Sequence, residues 1–184
     1  MTTVYKSSDG GVGGTPTNEA VEAVQVSEGT SPEAVKTRFR GYKRLLIKLV
    51  GRGPMDDTKI DEIGKVEFGD RWAGVYPSDR AKKLLRVRDR FAVVNTATSK
   101  GRGSHWLGVY MTPKGEGYVY DSFGRDIDRV IWQLSRAAVT ANNALHETDS
   151  AAEQRGFSAV CGQLSLSWLL TVRDVGIRAT AAVI

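Results

Sequence analysis

Cysteine occurs once in 184 residues, at Cys161. One thiol cannot close an internal disulfide, so a disulfide-stapled scaffold is excluded and a reducing compartment fits. Apolar runs are short, far from the about 20 residues that a membrane span needs. No charged start followed by an apolar block marks a signal peptide, so the chain is read as neither secreted nor membrane-spanning. Large apolar side chains are scarce in residues 1–33, where Gly, Ser, Thr, Pro and Glu dominate ("SSDGGVGGTPTNEA", "SEGTSPEA"). That stretch cannot bury enough surface to offset the entropy of ordering and is expected to be a flexible tail. Acidic side chains are outnumbered, leaving a net charge of +5. Such basicity permits contact with nucleic acid or an acidic surface, and equally describes a soluble protein with surplus lysine and arginine. The chain as a whole is 41% hydrophobic, which argues for a packed domain rather than overall disorder.

Residues 34–54 form a distinct basic segment. "VKTRFRGYKRLLIKLVGR" carries Lys36, Arg38, Arg40, Lys43, Arg44, Lys48 and Arg52. Phe39, Tyr42, Leu45, Leu46, Leu49 and Val50 recur at helical spacing as one stripe, which predicts a basic amphipathic helix ending at Gly51–Pro54. It is either a helix packed on the domain or a partner-binding arm. Beyond it, residues 55–184 read as one α+β domain. Asp56 or Asp57 caps a short helix that Gly64 ends. "RFAVVNTA" is a buried strand, and "SHWLGVYM" and "GYVYDSF" are two strands joined by a turn at "TPKGEG". "DIDRVIWQLSRAAVTANNAL" reads as one helix, and "CGQLSLSWLLTVRDVG" as a second, apolar nearly all round, with Gly176 as its stop. The predicted architecture is a small mixed or antiparallel sheet packed against a central helix that carries Cys161.

A cysteine attacks as thiolate, and a helix N-terminus with a neighbouring imidazolium favours that form. Cys161 opens a helix, and Gly162 would leave the approach to sulfur open; a lone cysteine there also reads as an ordinary core residue. The histidines favour the first reading. His105 starts one strand of the hairpin and Asp121 ends the other, so the two should face each other, either as a structural pair or as a base and its orienting carboxylate. Gln154, seven positions before Cys161 across a loop containing Gly156 and Ser158, offers an amide N–H that can join the Cys161 backbone N–H at an oxyanion. His146 reads as surface or structural.

Taken in order, "VNTA", His105–Trp106, Asp121–Ser122–Phe123–Gly124, Gln154 and "QRGFSAVCG" make the chain resemble the adenain family of adenovirus cysteine endopeptidases. That family lies within the wider class of ubiquitin-like-modifier proteases. The resemblance spans about Met55 to Trp168, and "FGDRWAGVYPSDR" sits where the family has a Gly-aromatic segment beside its cleft. It implies a papain-like convergent triad: Cys161 as nucleophile, His105 as general base, Asp121 orienting it, Gln154 donating to the oxyanion, and Trp106 packed beside the histidine. Chemistry through a thioester needs no metal or other cofactor. DNA and a noncovalent peptide are the activators it suggests. Attachment of a peptide by disulfide is ruled out by the single thiol. A further departure is the short stretch that follows the central helix here, where the family continues much further.

The resemblance also implies protein substrates, namely viral capsid and core precursors cut at Gly-containing sites, a place in the virion and host nucleus, and a monomer. "LVGRG" (Leu49–Gly53) matches the family's preferred pattern, so self-cleavage between Arg52 and Gly53 would release the basic arm; the same glycines also read as a helix-terminating turn. Lys36, Arg38, Arg40, Lys43, Arg44 and Lys48 are the candidate DNA contacts. Two other functions fit the same residues: a deconjugating protease of ubiquitin-like modifiers, and a DNA-binding core protein on a catalytically dead fold.

Overall fold

The computed structural model describes residues 30–148, 152–154 and 159–184. Most of the expected tail, residues 1–29, lies outside them. The first element, α1 (Pro32–Val50), starts two residues before the expected boundary of the basic segment, capped by Ser31, whose hydroxyl accepts from the Ala34 N–H at 3.3 Å. Helix α2 (Asp57–Phe68) follows, capped by Asp56. It runs through Gly64 and ends at Gly69, correcting the expected stop. Gly64 serves packing instead: a Cβ there would lie 2.2 Å from the Trp72 ring.

Five strands form one mixed sheet in sequence order: β1 (Trp72–Pro77), β2 (Arg90–Asn95), β3 (Trp106–Met111), β4 (Gly117–Tyr120) and β5 (Leu145–Glu147). The inner pairs β2–β3 and β3–β4 are antiparallel, and the outer pairs β1–β2 and β4–β5 are parallel. Strand β1 and the 3₁₀ segment Ser78–Arg86 were not legible in the sequence. The long helix expected over residues 126–145 is three elements, not one. Ile131 leaves helical geometry (φ −137°, ψ 50°), dividing α3 (Ile127–Val130) from α4 (Trp132–Thr140), and Leu145 already belongs to β5. Parallel pairing with β4 draws that end of the chain into the sheet, overriding its local helical pattern. Two last helices, α5 (Cys161–Val175) and α6 (Ile177–Ala181), complete the order.

The sheet is covered on both faces. Phe91, Val93, Tyr110 and Tyr120 pack against α1, α2 and α5. Ala92, Val94, Leu107, Val109 and Met111 face the 78–86 segment and α3–α4. This double burial explains why "FAVV" is uniformly apolar rather than alternating. Every residue from Cys161 to Val172 of α5 is buried. The helix lies close on β3, because Gly108 has no Cβ; one would sit 3.1 Å from the Trp168 ring and 3.2 Å from the Ser165 carbonyl. Trp168 in turn stacks on Tyr120 (centroids 5.6 Å apart, planes 7° apart).

Of the two readings of the basic segment, the packed helix is the one observed. Val35, Phe39 and Leu46 enter the same core as Leu164 and Trp168, and Arg38 bonds Asp174 at 3.0 Å. Leu45 and Leu49, expected on the buried stripe, are 58% and 68% exposed: the apolar stripe is wider than the face α5 can cover. Among the described residues, no helix is long and apolar enough to cross a membrane.

Candidate active site

The expected catalytic residues arrive from separate elements. Cys161 is the first residue of α5, where helix N–H groups lack intrahelical partners. His105 directly precedes β3 and Asp121 directly follows β4. The β3–β4 ladder pairs Gly108 with Tyr120. Continued by one step, that register sets Asp121 opposite Leu107, so the histidine and the carboxylate are diagonal neighbours rather than the facing pair expected. They still meet: His105 Nε2 lies 2.7 Å from Asp121 Oδ1, with both side chains buried. Nε2 being engaged, Nδ1 is the ring nitrogen left over, and His105 and Cys161 lie close enough that each shifts the titration of the other.

The electrostatics follow from these contacts. Burial works against the Cys161 thiolate, but the His105 ring and the backbone N–H groups of Trp106 and Gly162 outweigh it, holding the thiol below its ordinary range. Burial likewise disfavours the His105 imidazolium. Asp121 and the Cys161 sulfur prevail, and the ring titrates above an ordinary histidine. At Asp121, burial raises the carboxyl, while His105, Arg125 and the Phe123 N–H together bring it below the usual carboxylate range. The combined tendency is a thiolate–imidazolium pair.

Asp121 is more fully held than the sequence suggested. Its Oδ1 also accepts from the Phe123 N–H at 2.9 Å, and its Oδ2 accepts from Arg125 Nε at 2.8 Å. Arg125 escaped notice because nothing in "FGRD" marks it; only the turn after β4 swings its guanidinium back onto the carboxylate. Gln154 is buried and its Oε1 accepts from Ser122 Oγ at 2.8 Å, while its backbone N–H bonds the Ser122 carbonyl at 2.9 Å. Ser122 thus holds Gln154 through both its side chain and its backbone. The loop expected to carry Gly156 and Ser158 lies outside the described residues.

Cys161, His105 and Gln154 line one cleft of about 900 Å³. Cys161 is largely buried, 9% exposed, and borders this cleft. The opposite walls are Pro54–Asp57, Val75–Pro77, and small residues of the loop after β2. One assigned role changes. The ring beside His105 is Phe123, at 4.9 Å between centroids, whereas Trp106 donates its Nε1–H to the Met55 carbonyl at 2.8 Å. Gly162 packs closely on the cleft-lining Met55, which a Cβ there would meet at 3.1 Å. His146 stacks on Tyr118 in the edge strand and takes no part in the cleft.

The "LVGRG" stretch stands next to this cleft but is not extended. Leu49 and Val50 belong to the last turn of α1, and Gln163 Nε2 donates to the carbonyls of both Gly51 and Gly53 at 2.9 Å. Of the candidate DNA contacts, Arg38, Arg40, Arg44 and Lys48 are exposed, and Lys36 and Lys43 are partly so. Arg38 is engaged by Asp174.

No protein-family model matches the chain, and no curated protein matches it at a significant level.

Proposed function

We propose that the protein is a cysteine endopeptidase of the adenain-like kind, acting on protein precursors at Gly-containing sites. The observation that carries this reading is the buried His105–Asp121 hydrogen bond with Cys161 and His105 bordering the same cleft, the cysteine being the first residue of a buried helix. A structural cysteine needs neither an imidazole nor an open cleft.

In the proposed reaction, the Cys161 thiolate attacks the scissile carbonyl carbon and a C–S bond forms. The carbonyl π electrons move to oxygen, where the Cys161 N–H and the Gln154 amide stabilise the charge. The His105 imidazolium then gives its proton to the amide nitrogen, the C–N bond breaks, and the amine leaves. Water enters, loses a proton to His105 and attacks the thioester, releasing a carboxylic acid and returning the thiol to its paired state. Asp121 keeps the ring oriented and its positive form stabilised throughout.

The resemblance supplies the biological setting of this proposal: capsid and core precursors, virion and host nucleus, with DNA or a noncovalent peptide as activator. Turnover of a peptide spanning Ile47–Met55 by the unaltered enzyme, and none by Cys161→Ala, is the expected result, measured with and without DNA. Equal turnover by both removes the proposal. Turnover only of ubiquitin-like fusions ending in Gly-Gly assigns the same chemistry to a modifier protease.

A further inference from the structure

Asn95 ends β2 and is 6% exposed. Its Oδ1 accepts two backbone N–H groups of the following loop, from Ala97 at 2.8 Å and from Ser104 at 3.2 Å. Two donors on one oxygen settle which side of the amide is oxygen and which is nitrogen. Nδ2 therefore points the other way, and no described residue accepts a hydrogen bond from it. Among the described residues, the sealed polar side-chain atoms that find no partner are on Arg71, Gln163 and Trp168, so the Asn95 nitrogen is not sealed, and the residue lines the cleft.

The loop keeps it open. Gly103 lies beside it, and a Cβ there would sit 3.1 Å from Nδ2, covering the donor. The β2–β3 ladder pairs Asn95 with Trp106, the residue after His105, and Asn95 and His105 both line the cleft. A buried amide held by its oxygen, with its N–H₂ directed into a cleft walled by Ala97, Thr98 and Gly101, is matched by a carbonyl oxygen carried on a slim chain.

We infer that Asn95 is a substrate-binding residue, whose Nδ2 donates to one backbone carbonyl of an extended peptide lying across Cys161 and His105. The inference rests on the peptidase reading above and adds to it the residue that sets the register of the bound chain. Asn95→Asp keeps the acceptor for Ala97 and Ser104, keeps the shape, and replaces the donor with a carboxylate oxygen.

The test uses the Cys161→Ala protein, so that binding is read without cleavage, and a peptide of residues Ile47–Met55. A series of the same peptide carries one C=S in place of one backbone C=O at a time, which weakens acceptance with little change of shape. One position in the series should bind about five- to tenfold more weakly than the parent. Adding Asn95→Asp should weaken the parent peptide at least tenfold, and the sensitive C=S should then cost nothing further. If no single C=S weakens binding, or if its effect is unchanged by Asn95→Asp, Asn95 makes no such bond and the inference falls alone. If the Asp variant does not fold, Asn95→Ser, which keeps a hydroxyl acceptor and shortens the donor out of reach, supplies the same comparison. Absence of any peptide binding at millimolar concentration overturns the peptidase reading together with the inference.

Discussion

Replacing Asp121 with Asn tests how the charge on sulfur is maintained. The substitution preserves shape and removes one negative charge. Oδ1 accepts from both His105 and the Phe123 N–H, and Oδ2 only from Arg125. The new carbonyl oxygen therefore keeps the Oδ1 position, and its NH₂ meets Arg125, which is 46% exposed and can turn to water. The fold should survive and the histidine tautomer should persist. The loss falls on the imidazolium. A carboxylate and an imidazolium with centres roughly 4 Å apart attract by about 4 kcal/mol at an effective dielectric constant of about 20. The neutral hydrogen bond that remains contributes about 0.5–1.5 kcal/mol. The deficit is about 2.5–3.5 kcal/mol, which shifts the balance from ion pair to neutral pair by roughly 70- to 400-fold. Alkylation of Cys161 by iodoacetamide at pH 6.5 reads the thiolate without any substrate. It should slow by more than tenfold in Asp121→Asn, with an unchanged circular-dichroism spectrum. Rates agreeing within threefold would refute the reasoning, since the carboxylate would then contribute nothing to the charged state.

Four other outcomes are expected. The pH profile of kcat/KM should rise on the acid side at a lower pH than an ordinary thiol allows, because the Cys161 thiol is shifted down, and fall on the alkaline side above ordinary histidine titration, because His105 is shifted up. Arg125→Gln should move that alkaline limb further up, since Asp121 then serves His105 alone; a limb that stays in place denies Arg125 any part in positioning the charge. Gly108→Ala should destabilise by about 1–3 kcal/mol through its contacts with Trp168 and the Ser165 carbonyl, and a urea midpoint equal to that of the unaltered protein would show that α5 is not held so closely on β3. Mass spectrometry of the active protein should show the N-terminus cut between Arg52 and Gly53 only after the two Gln163 bonds are lost, as in Gln163→Ala; cutting at full rate with Gln163 in place would show that these bonds do not guard the site.

Much of the site was legible because its residue types are scarce and chemically particular. One thiol and two histidines leave few combinations, and the hairpin turn at "TPKGEG" brings His105 and Asp121 together by local chain reversal. Central strand β2 and helix α5 were also legible, being short or long apolar runs between clear boundaries. The split of the 126–145 segment was not, because its helical pattern is real and only pairing with β4 overrides it at the far end. Gly64 misled for a similar reason: its lack of a side chain accommodates Trp72, eight residues away, and ends nothing.

The sequence by itself determined the α+β alternation and the order in which the candidate site residues occur, since each depends on residue type and local period. Tertiary structure alone decided which neighbours complete the site. Arg125 on Asp121, Ser122 on Gln154, Phe123 beside His105 and the open amide of Asn95 all depend on how turns fold back after the strands end. Such contacts have no period and no motif; side-chain direction fixes them, and direction exists only once the sheet and α5 have packed.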